Sequence, residues 1–111
     1  METLVRDKIP ELIEEYGPKQ QTRIARPEEV MEFLLARFVT DAEELAESVG
    51  WALDTDGGKD AILWKMADLY EAIESMCTEL NITPSQITNA KIYKAQTHGK
   101  LSQKVILIED D

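Results

Sequence analysis

Four residues carry the most chemistry in this chain. Asp41 and Glu44 lie in one segment and Lys65 and Asp68 in another, each pair spaced three apart and so neighbouring on a helix. At about 100° per residue, Val30, Leu34, Phe38, Ala42, Leu45 and Val49 form an apolar stripe on the first helix. Asp41 projects inside that stripe and Glu44 falls just past its edge, whereas Glu43 and Glu47 point further away and read as a solvated face. Ile62, Met66, Leu69, Ile73, Met76 and Leu80 form the stripe of the second helix, with Lys65 and Asp68 together along one border. A carboxylate on an apolar face is costly to bury unless it is paired or bound to a cation. Antiparallel packing of the two helices sets Asp41 and Glu44 against Lys65 and Asp68. Oxygen ligands from two helices, completed by water and substrate phosphates, are what Mg²⁺ takes, and such sites commonly lie between bundle helices.

The elements that must position these groups follow from punctuation in the sequence. Pro10 suits a first helical turn, and Gly17-Pro18 stops the short helix predicted over residues 9–16. A polar connection over residues 19–26 leads to Pro27-Glu28-Glu29, which opens a long helix with acidic residues at its positive end. That helix runs to about residue 51 or 53, a turn covers residues 54–58, and a third helix spans about residues 59–80. Thr83 caps a fourth helix, with Pro84 at its first position and Gln86 three residues on, ending near His98-Gly99. Val105-Ile106-Leu107-Ile108 is apolar and mostly β-branched, more strand than helix. Gly57-Gly58-Lys59 lacks the earlier Gly and the following Ser or Thr of a phosphate loop, and reads as a plain turn. The prediction is one domain over residues 1–111, all-α, a small antiparallel helical bundle with a short C-terminal extended segment.

The chain has 111 residues, 43% of them hydrophobic, enough for one modest core that gains from burying a helix face against a second copy. With 22 acidic against 12 basic residues, the net charge of −10 argues against a nucleic-acid binder, because phosphate contacts need clustered Lys and Arg. A nucleotide substrate stays open, since acidic groups reach phosphates through a divalent cation. The single cysteine, Cys77, excludes an intrachain disulfide. Met1-Glu2-Thr3-Leu4 lacks the pattern of a signal peptide and no apolar run reaches the length of a membrane span, so the predicted location is the cytoplasm.

The string Leu4-Val5-Arg6-Asp7-Lys8-Ile9-Pro10-Glu11-Leu12-Ile13 resembles the opening of the MazG-like nucleoside triphosphate pyrophosphohydrolases, in the branch often labelled phosphoribosyl-ATP pyrophosphohydrolase-like. The similarity continues through both long helices and reappears at Lys94-Ala95-Gln96-Thr97-His98-Gly99. It implies an all-α, oligomeric enzyme, a homodimer or homotetramer, that uses Mg²⁺ to cleave nucleoside triphosphates to the monophosphate and pyrophosphate. The family's motifs are Glu-Glu-x-x-Glu on one helix and Glu-x-x-Asp on the next. In the register of the N-terminal string these fall on Thr40, Asp41 and Glu44, then on Lys65 and Asp68. The resemblance thus implies Asp41, Glu44 and Asp68 as metal ligands, with Glu44 also the group that takes a proton from water or orients it. A competing register reads Glu43-Glu44-Leu45-Ala46-Glu47 as the first motif; the stripe favours the former.

Thr40 and Lys65 depart from the pattern. A protonated lysine cannot ligate metal, but it can pair with Asp41 or Asp68, in part replacing a cation, or contact a phosphate. The phosphate-holding positions late in the family fall on Lys94 and His98, with Asn89 and Lys91 as weaker companions. Trp51 and Trp64 read as helix-packing residues rather than base-stacking ones, and the role of Arg6-Asp7-Lys8 stays open between phosphate and another subunit. Three readings stand at this point: a Mg²⁺-dependent pyrophosphohydrolase acting on NTP or dNTP, a nucleotide-binding or regulatory relative whose altered metal site has lost turnover, and a helical interaction module without a nucleotide.

Overall fold

The computed structural model describes residues 1–53 and 55–109. Helix α1 spans Ile9–Tyr16, α2 Val30–Ala52, α3 Gly58–Leu80 and α4 Pro84–His98, with a single 3-10 turn at Pro27–Glu29. The chain is all-α: no strand occurs among the described residues. No helix among them is long and apolar enough to cross a membrane.

The start of α2 differs from the expected simple helix. Glu29 is buried, and its carboxylate folds back to accept the backbone N–H of Arg26 at 2.8 Å while Arg23 Nη1 donates to it at 2.6 Å. That tightens residues 27–29 into the 3-10 turn, a common way to satisfy the free N–H groups of a helix start. Arg23 also reaches Glu2 at 2.7 Å, which ties the N-terminal segment to the head of α2.

Helices α2 and α3 form an antiparallel hairpin, the main packed unit of the fold. Its corner explains the glycine pair. Gly57 lies in the left-handed region (φ 80°), which turns the chain into α3, and Gly58 presses on the last residue of α2 so closely that a Cβ would stand 1.6 Å from the Ala52 carbonyl oxygen. The expected turn over residues 54–58 includes Asp54, outside the described residues; Gly58 itself already belongs to α3. Buried apolar residues are few among those described: Leu34, Ala52 and Ala72.

Helix α4 carries the expected capping box: the Gln86 N–H donates to Thr83 Oγ1 at 3.2 Å and the Thr83 N–H donates to Gln86 Oε1 at 2.8 Å. The helix packs along no other helix. Its Ile87, Ile92 and Tyr93 are exposed, as are Val105, Ile106, Leu107 and Ile108 beyond it, at 80–86%. That last run is irregular, not a strand: β-branched residues favour extended backbone, but a strand needs a partner for its N–H and C=O groups, and none is present among the described residues. The radius of gyration is 18.1 Å, against about 13 Å for a compact domain of this length.

Candidate functional site

The stripe on α2 turns Asp41 toward α3, where it is 1% exposed. One turn earlier on the same helix, Arg37 holds it in a two-pronged pair, Nη2 to Oδ1 at 2.9 Å and Nε to Oδ2 at 3.2 Å. From α3, Lys65 reaches across the hairpin and donates to Glu44 Oε2. Its Nζ also lies 3.8 Å from Asp41 Oδ1 and 3.9 Å from Asp68 Oδ2. One ammonium therefore stands within ion-pair range of all three carboxylates. Its hydrogen bond with Glu44, aided by the charges of Asp41 and Asp68, outweighs partial burial and raises the Lys65 pKa above the ordinary value, so the group is a fixed cation at neutral pH.

Asp68 has a second partner. Arg6, in the irregular segment before α1, donates to Asp68 Oδ1 from Nη2 at 2.8 Å and from Nε at 3.2 Å, and lies 3.6 Å from Glu71. The Glu2–Arg23–Glu29 ion pairs hold this segment at the head of α2, from where Arg6 reaches α3. Between the segment and the hairpin runs a groove of about 660 Å³. Leu4, Val5, Ile9, Val30, Leu34 and Ala72 make its apolar wall, and Arg6, Asp7, Arg37, Asp41, Asp68, Glu71, Ser75 and Glu79 its polar part; Glu44 and Lys65 stand beside the groove and do not line it.

The positions marked in the sequence thus divide. Asp41, Glu44, Lys65 and Asp68 come together between α2 and α3. Lys94 and His98 lie exposed on α4, and neither lines the groove nor pairs with the cluster; His98 Nδ1 instead meets the hydroxyl of Thr97 at 2.8 Å. Asn89 and Lys91 are exposed on the same helix, and Glu43 and Glu47 on α2. Trp51 and Trp64, read as packing residues, are instead 60% and 70% exposed and do not line the groove. Arg37 had gone unremarked, and Arg6, left open between phosphate and another subunit, meets Asp68 of its own chain. The Arg37–Asp41 spacing of four is visible in the sequence, whereas Arg6 meets Asp68 across 62 positions, which no local pattern signals.

The donor chemistry suits a hard divalent cation, since carboxylate oxygens from two helices surround one point. That point is already occupied: Lys65, Arg37 and Arg6 face the three carboxylates, with Glu71 a further acid 3.6 Å from Arg6. Among the described residues no three acidic, histidine or cysteine side chains are arranged as they stand to hold a metal ion. Comparison of the chain with protein families, with curated proteins and with solved structures finds no match.

Proposed function

We propose that the groove binds a nucleoside triphosphate and that the chain is a Mg²⁺-dependent pyrophosphohydrolase, converting NTP or dNTP to the monophosphate and pyrophosphate. The observation that carries this reading is the meeting of Asp41, Glu44 and Asp68 around one cationic point beside a groove of about 660 Å³. That volume lies in the range of small-molecule sites, and the largely apolar wall offers a surface for a base and sugar. Asp41, Glu44 and Asp68 would hold the metal, which when bound supplies charge neutralisation on the phosphates and a lowered pKa for water. Glu44, the most exposed of the three carboxylates at 43%, takes the proton of the attacking water or orients it. The water oxygen bonds to one of the two phosphorus atoms, and the α–β bridging oxygen leaves with the other. Arg6, half exposed, would turn from Asp68 to phosphate oxygens, while Arg37 stays on Asp41.

The same proposal extends to architecture and setting. The α2–α3 hairpin supplies half of a MazG-like antiparallel bundle, and a second copy supplies the rest in a homodimer or homotetramer. Lys94 and His98, remote from the cluster of their own chain, serve phosphate in this reading when α4 docks on a neighbouring copy. The setting is the cytoplasm, where nucleotides are abundant. A second reading, nucleotide binding without turnover, draws on Lys65 occupying the cationic point.

Pyrophosphate release from a panel of NTPs and dNTPs, with and without Mg²⁺, separates the two. Magnesium-dependent release that disappears in Asp68→Ala supports the enzyme; unchanged release in that variant removes the site. Absence of release, combined with a nucleotide-induced rise in melting temperature, selects the binding protein.

A further inference from the structure

We infer that the acid-free C-terminal arm, residues 82–108, docks on the acidic outer face of α3 in a second copy, with Lys91 and Lys94 set against Glu71 and Glu74. This names the surfaces that meet in the shared bundle proposed above, and it needs no turnover. Its basis is the way charge divides along the chain. Residues 82–108 hold four lysines, at 91, 94, 100 and 104, and no Asp or Glu. Residues 30–80, which form the hairpin, hold twelve acidic residues against three basic ones. Among the described residues the ion pairs are made by Arg6, Arg23, Arg26, Arg37 and Lys65, none of them in the arm. Helix geometry matches the two surfaces. At about 100° per residue, Ile87, Lys91, Lys94 and His98 fall on one narrow stripe of α4, and all four are exposed. On α3, Glu71 and Glu74 share a face with Leu63, Trp64 and Tyr70, every one of them exposed. Each charged pair, three residues apart, spans about 4.5 Å of helix axis, so two ammonium groups meet two carboxylates at once when the helices lie side by side. The arm brings cations and aliphatic surface, and α3 brings acids and aromatic surface; each face has what the other lacks. Two-fold symmetry lets both arms dock reciprocally. An anionic polymer or membrane would also attract the lysines, but it would leave the open, acidic face of α3 unused.

Light scattering of the full chain across a concentration series, in low salt and in about 1 M NaCl, tests the docking. Wild type gives a multiple of the chain mass, with a dissociation constant about tenfold weaker or more in high salt, because screening reaches exposed pairs. Lys91→Glu with Lys94→Glu, and separately Glu71→Lys with Glu74→Lys, each weaken association about a hundredfold or more, since like charges then face each other. An equimolar mixture of the two double variants regains the wild-type mass, because the arm of each now complements the α3 of the other. Net charge alone predicts otherwise: the α3 variant is less acidic than wild type and on that ground would associate more tightly. All four positions are exposed, so the helical circular-dichroism signal persists in both variants. If the α3 variant fails to fold, the arm variant and the salt series decide. A monomeric wild type, an unchanged mass in the arm variant, or a mixture that stays monomeric overturns the inference. Pyrophosphate release is read separately: a chain that releases it as a monomer loses this interface and keeps its activity, and a chain without turnover can still exchange its arms.

Discussion

Asp41 shows how a single buried carboxylate constrains its neighbours. It is almost fully out of water, and Arg37, about a third exposed, carries the compensating charge. Asp41→Ala leaves that guanidinium without its partner and withdraws one of the three acids around Lys65. Urea unfolding should therefore register a loss of about 2–3 kcal/mol, below the full cost of orphaning a wholly buried charge because Arg37 keeps some solvent; a loss under about 0.5 kcal/mol would mean the pair contributes no more than a surface one. Glu29 offers a pH-dependent counterpart. Hydrogen bonds from the Arg23 side chain and then from the Arg26 backbone N–H bring its pKa down from 4.5 to about 2. A depressed carboxylate contributes its stability in full above the unfolded value, and the contribution fades as pH falls toward the folded one. Glu29→Gln should accordingly melt lower than wild type at neutral pH, with the two melting temperatures converging between pH 4.5 and about 2. A gap as wide at the acid end as at neutrality would show that Glu29 is not held by its charge. At this scale the sequence was half legible. An acid inside an apolar stripe announces a buried partner, and Arg37 four residues away was within reach of the same reasoning. The Arg6–Asp68 contact was not, because an irregular segment makes it and side-chain periodicity does not extend to such segments.

The helices owe their limits to residues whose backbone chemistry is nearly independent of context, which is why α1, α3 and α4 lie within a residue of the expected spans. Pro10, Gly17, Thr83 with Pro84, and Gly99 each act on the chain locally. The 3-10 turn was hidden because it depends on the Glu29 carboxylate finding Arg23, a choice made by side chains. The apolar run at residues 105–108 misled for the opposite reason: propensity was present and a partner was not. Two glycines of the hairpin give predictions of opposite sign. Gly58→Ala puts a methyl into the Ala52 carbonyl, a backbone atom that cannot step aside, and should cost about 2 kcal/mol or more with loss of the hairpin corner. Gly50 is exposed within α2 with nothing within 4 Å of an added Cβ, so Gly50→Ala should stabilise by about 0.5–1 kcal/mol through higher helix propensity. Chemical denaturation of both variants checks the pair. A mild Gly58→Ala would mean that α2 and α3 meet at a looser corner.

The whole molecule is more open than its parts suggest. Its accessible surface is 10004 Å², whereas a compact monomer of 12.6 kDa exposes about 6,200 Å². The excess, about 3,800 Å² per chain, is more than the roughly 1,000–2,500 Å² per partner that one obligate interface removes. Much of it is apolar and falls on helix faces: Trp64 and Tyr70 on α3, Ile92 and Tyr93 on α4. Hydrophobic content pointed to a modest core that gains from a second copy, but not to which faces stay open, because stripe patterns state which face is buried and not whether the covering surface belongs to the same chain. A second copy, as proposed above, would meet the requirement without a new partner, and two-fold symmetry would present each exposed face twice. Light scattering at micromolar concentration should then give two or four times the chain mass. The test can be made local. Trp64→Glu and Ile92→Glu alter side chains that the isolated chain already leaves in water, so neither should disturb the α2–α3 hairpin of a single copy. If α3 and α4 are the faces that meet, each substitution lowers the mass while helical circular dichroism of the hairpin persists. A wild-type chain that scatters as a monomer with sharp, cooperative unfolding would show instead that α4 folds back on its own hairpin in solution, and the proposal of a bundle shared between copies would fall with it.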